Sequence, residues 1–166
     1  MRVRYALLCG GAVLSACSPP PERAPDGSDI APEAVRQLYA AYEVALRAHH
    51  ADTLAAFYRP TGARIIVNGI AMDLSNAGLD SIYRGSWEGP SYFAFDDLRF
   101  EQISPAQVLV TGGFRWLRPQ SVDTMHFIYL AILEQTEVGP RIRLEHETLR
   151  PDAPATPPDS AGGSQR

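Results

Sequence analysis

The sequence predicts an α+β domain, with two to three N-terminal helices packed on a bent antiparallel sheet. Three observations predict it. Apolar residues recur at helical spacing up to about His49. Strand-like segments follow one another from Ser91 onward. The apolar parity switches inside the first of those segments, which calls for a bend. Helices first and strands afterwards is the α+β order.

The first helix is expected from Pro32 to about His49. Proline suits a first helical turn, because its missing N–H would have no partner there. Val35, Leu38, Tyr39, Tyr42 and Leu46 form one apolar stripe. Asp52 reads as the N-cap of a shorter second helix carrying Leu54, Phe57 and Tyr58, which Pro60 and Gly62 end. Asn68-Gly69 stands between Ile65-Ile66-Val67 and Ile70-Ala71-Met72, a strong hairpin signal. A third short helix is expected from Ser75 to Arg84. In the next segment Phe93 and Phe95 share one parity, Leu98 and Phe100 the other. The switch falls at Asp96-Asp97 and predicts a bulge. Val108 to Leu117 reads as a long strand, with Gly112-Gly113 marking a kink or a close approach. Val122 to Glu134 is apolar on both parities: Ile128, Leu130 and Ile132 on one, Phe127, Tyr129 and Leu133 on the other. Such a strand needs cover on both faces, from helices on one and from a partner subunit on the other. Arg141 to Leu149 alternates, which places Ile142, Leu144, His146 and Thr148 inward and Arg141, Arg143, Glu145 and Glu147 outward.

Both ends of the chain read differently. Arg2 and Arg4 precede an apolar run from Tyr5 to Leu14, then Leu14-Ser15-Ala16-Cys17. A basic start, an apolar middle and small residues before a cut make a signal peptide, residues 1–16. The run is about half the ~20 residues a spanning helix needs. Leu14 to Cys17 resembles the lipobox of bacterial lipoproteins, which implies lipidation of Cys17 and a membrane as partner. Two or more acyl chains hold a protein on a bilayer where one does so only marginally. Ser18 is not the aspartate retention signal of enteric bacteria, so the expected location is the cell envelope, at the outer membrane if the host has one. Residues 17–29 are the lipidated Cys and a stiff Pro-rich tether, residues 30–150 the folded domain, and residues 151–166 a disordered tail.

Composition narrows the chemistry. The two cysteines are Cys9 and Cys17, so the folded domain has no thiol, disulfide or thiolate metal site. All 15 basic residues are Arg, which removes a Schiff-base lysine and a phosphate-loop lysine. Loss of residues 1–16 takes away two Arg and moves the net charge from −4 to −6. An acidic domain does not suit nucleic acid. No Gly-rich phosphate loop, Ser nucleophile elbow or His-Glu zinc helix is present. No cofactor is expected. His49, His50 and Asp52 are better explained by helix ends than by a metal, and no metal is expected.

The long first helix, the Asp52 helix, the hairpin and the long terminal strands together resemble the nuclear transport factor 2-like superfamily, which includes ketosteroid isomerase and polyketide cyclases. The closing segment, Gly139 and Arg141-Ile142-Arg143-Leu144-Glu145-His146-Glu147-Thr148, is similar to the last strand of many small members, where a Trp-basic-Ile start leads to Glu-His-Glu-Ser. Pro140 stands where the Trp would be, and Thr148 where the Ser would be. The resemblance implies a sheet curled into a cone around a pocket, and a homodimer through the outer sheet face. It does not fix a function, because the superfamily hosts enzymes, ligand binders and oligomerisation modules.

His146, expected inward, is the first candidate for a general acid or base, with Tyr42 or Tyr129 assisting, although a lone inward histidine is more often a core residue hydrogen-bonded to a neighbour such as a tyrosine. His126 shares parity with Ile128 and Leu130 and would join it in one pocket if that face is the inner one. Paired histidines with tyrosines resemble the sites of dehydratases in this superfamily. Tyr39, Tyr58, Trp87 and Trp116 are further candidates for the wall of the cone, although most such residues are more readily core side chains with one satisfied polar tip. Steroid-isomerase relatives use a carboxylate on the strand after the second helix. Here that segment, Arg64 to Asn68, has no acid. No complete acid–base constellation can be assembled, so the sequence favours a non-catalytic module binding a small apolar ligand or a partner. The alternatives are a dehydratase, isomerase or cyclase using His146, and a purely structural dimerisation domain.

Overall fold

The structure is a computed structural model that describes residues 29–151. The expected signal peptide, Cys17, nearly all of the tether and nearly all of the tail lie outside the described residues. Among the described residues no helix is long and apolar enough to cross a membrane.

Helix α1 spans Pro32–Arg47 and buries Val35, Leu38, Tyr39, Tyr42, Ala45 and Leu46. Glu33 in its first turn and Arg47 in its last complement the helix dipole. It stops where His49 takes a left-handed φ of 55°. There the His49 and His50 N–H groups close back on the Leu46 and Ala45 carbonyls. Helix α2, Ala51–Leu54, runs into a 3₁₀ turn, Ala55–Phe57. Its N-cap is His50, so the expectation that Asp52 caps it is corrected: Asp52 lies inside the first turn, where its charge suits the dipole.

Strands β1 (Ala63–Val67) and β2 (Ile70–Leu74) form the expected hairpin. Asn68 and Gly69 both take positive φ, 49° and 84°, as a two-residue turn matched to the strand twist requires. Helix α3, Asn76–Gly85, is capped by Ser75, whose Oγ accepts the Gly78 N–H at 3.1 Å. Ser75→Ala is expected to lower stability by about 1 kcal/mol in chemical denaturation, as loss of an N-cap does.

Strands β3 (Tyr92–Ser104), β4 (Gln107–Leu117), β5 (Thr124–Thr136) and β6 (Gly139–Leu149) complete a six-stranded sheet in the order β2-β1-β6-β5-β4-β3. The β3 bulge lies where the parity switch puts it, between Asp96 and Arg99, with Asp97 at φ 50°. Gly112 is the close approach opposite: a Cβ there would come within 2.9 Å of the Asp96 carbonyl oxygen.

Two expectations are corrected. The sheet is mixed, because β1 runs parallel to β6 (Ile65 beside Glu145, Val67 beside Glu147). The alternation of β6 is also broken. Leu133 faces Ile142 but Ile132 faces Leu144, so Arg143 is an extra residue on β6. One inserted residue turns every later side chain to the other face. Ile142 remains in the core, fully buried. Beyond it Glu145 and Glu147 turn into the cone, while Leu144, His146 and Thr148 turn out of it.

Candidate functional site

A cavity of about 210 Å³ lies between the concave face of the sheet and the helices. Phe93, Phe95, Phe114 and Trp116 line it from β3 and β4, and Trp87 from the segment after α3. Met72 and Ile82 line it and are also exposed, which marks its mouth between β2 and α3. The polar side chains at its floor are Glu145 and Glu147 of β6 with Tyr42, Tyr58, Tyr83 and Tyr129.

Glu145 is the buried charged residue of the core, 3% exposed. Tyr58 and Tyr129 donate to its two oxygens, at 2.5 and 2.8 Å. The Tyr58 hydroxyl is also bonded to those of Tyr42 (2.7 Å) and Tyr83 (2.9 Å), and the Tyr129 hydroxyl to that of Tyr39 (3.0 Å). A tyrosine hydroxyl has one proton. Tyr58 and Tyr129 spend theirs on Glu145, so Tyr42 and Tyr83 donate to Tyr58, and Tyr39 donates to Tyr129. All five protons then point along chains that end on one carboxylate. Burial pushes each of these phenols up from its ordinary range, so they stay protonated. Burial also pushes the Glu145 carboxyl up, while the hydrogen bonds from Tyr58 and Tyr129 pull it back.

Glu147 is on the same face two residues on, and its environment differs. Its main-chain carbonyl accepts the Asn68 N–H, but its carboxylate has no hydrogen-bond donor among the described residues. Burial first, and the Glu145 charge second, hold its carboxyl well above the usual carboxylate range. Of the two carboxyl groups, Glu147 is thus the one pushed up further, and Glu145 the one whose charge is stabilised by hydrogen bonds. An acid perturbed by burial in a cleft is a candidate functional group.

The sequence-predicted residues divide. Tyr42, Tyr58, Tyr129, Trp87 and Trp116 line the cavity, and Tyr39 is buried one hydrogen bond behind it. His146 and His126 are corrected: both lie on the outer face of the sheet. His146 Nε2 is 3.0 Å from the Thr148 Oγ1, and His126 is exposed over a shallow depression shared with Asp96 and Arg150. Neither reaches the cavity. Glu145, Glu147 and Tyr83 were not anticipated there. The sequence carries one trace of the turn-over: the charges on β6 change sign between Arg143 and Glu145. His49 Nε2 bonds to the Pro90 carbonyl, and the described residues contain no cluster able to hold a metal.

No family model matches the sequence, and no curated protein matches it. Solved structures do resemble the fold. An NTF-2-like protein of unknown function from Shewanella oneidensis superposes with a TM-score of 0.62 at 16% identity, over 70% of this chain and 97% of that one. A hexachlorocyclohexane dehydrochlorinase from Novosphingobium barchaimii gives 0.59 at 16% identity, over 72% and 86%. A ketosteroid isomerase-like protein from Erwinia carotovora atroseptica gives 0.58 at 15% identity, over 74% and 96%. At such identities the likeness is one of fold, and the fold of this chain is the nuclear transport factor 2-like α+β cone.

Proposed function

We propose that this chain is an exported lipoprotein whose cone-fold domain binds a small, largely apolar molecule in the cavity above Glu145 and Glu147. One observation carries the binding reading: an aromatic-lined cavity, open at one mouth, whose floor presents a carboxyl group with no hydrogen-bond donor among the described residues. A wall with no ligand to serve would place an apolar side chain at that position, since a half-buried acid with no partner weakens the fold. The anchor rests on the lipobox at Cys17 and the Pro-rich stretch after it. Radiolabelled fatty acid is expected to enter the wild type and not Cys17→Ser; label in both overturns the anchor. For the cavity, native mass spectrometry of the soluble chain from Ser28 onward is expected to show retained small-molecule mass, lost on mild activation. The same spectrum tests the homodimer proposed through the outer sheet face, where Ile128 is 55% exposed beside Leu130.

A second reading has its own support. The acid raised by burial is placed as a general acid or base, so the enzymatic role passes from His146 to Glu147. Val67 of β1 pairs with Glu147, so β6 supplies next door the carboxylate that β1 lacks. The chemistry would be a proton transfer, as in an isomerisation or an elimination. Loss of turnover in Glu147→Gln with binding retained would establish it, whereas equal loss of both would leave the site a binding site.

A further inference from the structure

We propose that the ligand of this cavity is a small organic cation, an ammonium group carried on an apolar body of about one ring. The inference rests on the binding reading above and names its ligand class. Three features of the cavity point the same way.

The first is the charge of the wall. Two carboxyl groups line it and, among the described residues, no Arg or His does. The basic side chains that pair with acids do so elsewhere, as Arg59 with Glu134 and Arg115 with Asp96. An anionic ligand would meet Glu145 and Glu147 with nothing to offset them. A cation meets a counter-charge in a partly closed, mostly apolar site, where opposite charges attract more strongly than at the open surface.

The second is the free carboxyl. Both oxygens of Glu145 are engaged by tyrosines. Glu147 is half-buried, lines the cavity and has no donor to its carboxylate among the described residues. An ammonium group brings up to three donors and no acceptor, which is what this group lacks. A metal ion would find one free carboxylate and no further ligands, since no metal-binding cluster is present among the described residues. An ammonium needs only that one partner and the ring faces.

The third is the remainder of the wall. Tyr83 and Trp87 meet at 5.5 Å, and Trp87 and Trp116 at 6.3 Å, each pair close to perpendicular. Rings at right angles around an acid make the kind of surface that attracts organic cations, with tryptophan the strongest contributor. The volume of 210 Å³ exceeds the roughly 150 Å³ that holds a benzene and falls below the ~300 Å³ where drug-sized pockets begin. That space fits one ring and a short arm.

Trp87 and Trp116 are the only two tryptophans of the chain, so tryptophan emission of the full-length protein reports on the cavity directly. The probes are benzylamine, benzyl alcohol and phenylacetate, which share a ring and differ in charge. Benzylamine is expected to bind about tenfold more tightly than benzyl alcohol, and phenylacetate not at all over the same range. Equal affinity for the amine and the alcohol overturns the cation assignment and leaves the binding reading standing. No response to any probe overturns both. In Glu147→Gln the preference for the amine is expected to fall to about parity while benzyl alcohol still binds, which shows that the cavity is intact. A preference unchanged in that variant overturns the assignment of Glu147 as the counter-ion. If Glu147→Gln does not fold, the wild-type order of the three probes decides the matter.

Discussion

Replacing Glu145 with Ala is expected to lower the stability of the domain by about 2–4 kcal/mol. The substitution leaves the hydroxyls of Tyr58 and Tyr129 with protons and no acceptor inside the core. Each orphaned buried donor costs about 1–3 kcal/mol, and the empty space adds a further loss. Relief from burying a carboxylate offsets part of this, which is why the figure lies below the sum of the losses. Glu145→Gln should also destabilise, because its amide offers a donor where one tyrosine proton already points. The direction of the proton chains gives a sharper test. Tyr129 donates to the charge, whereas Tyr39 only donates to Tyr129. Tyr129→Phe is therefore expected to cost about 1.5–3 kcal/mol and Tyr39→Phe about 0.5–1.5. Chemical denaturation at neutral pH reads all four variants. A neutral Glu145→Ala, or equal losses at Tyr39 and Tyr129, would show that Glu145 is not where the chains end.

The contrast between β3 and β6 explains how far the sequence could be read. Both strands carry a bulge, and both bulges turn later side chains over. In β3 large apolar residues stand on either side of the switch, Phe93 and Phe95 before it and Leu98 and Phe100 after it, so the change of parity is visible. In β6 the residues around the bulge are Ile142 and Leu144, which continue one unbroken alternation. Leu144 reads as a core residue but is half-buried on the outer face, paired with Ile132. Two apolar surfaces on one sheet make the register ambiguous, because burial no longer tells the faces apart. That ambiguity moved His146 to the inside and hid Glu145 and Glu147. The helices were easier to read, since a stripe such as Val35, Leu38, Tyr39, Tyr42 and Leu46 has one apolar side and fixes its own orientation. The parallel pairing of β1 with β6 joins segments far apart in the chain, and no local pattern encodes it.

Glu147→Gln is expected to stabilise the protein, and to do so only above the acidic range. Glu147 is held well above the ordinary carboxylate value of 4.5 by burial and then by the Glu145 charge. Tyr42 and Tyr83, across the cavity, feel the same charge and stay protonated, so they supply no counter-charge. The folded chain therefore keeps a proton that the unfolded chain releases near 4.5. A group raised in this way contributes fully below its unfolded value, and its contribution is lost as pH rises through its folded value. Glutamine is neutral throughout and escapes that loss. The variant should match the wild type at about pH 4 and exceed it at about pH 8 by more than about 1 kcal/mol, the worth of one pKa unit. Thermal melting at the two pH values measures the difference. A gain equal at both would indicate a packing effect, and a loss at the higher pH would mean that Glu147 is ionised and paired. The expected result links stability to function: a side chain that weakens the fold at neutral pH, in the wall of a cavity, stands where a ligand with complementary charge restores what the fold gives up. The same cation that binds the wild type should then raise its melting temperature at pH 8 and leave that of Glu147→Gln almost unmoved.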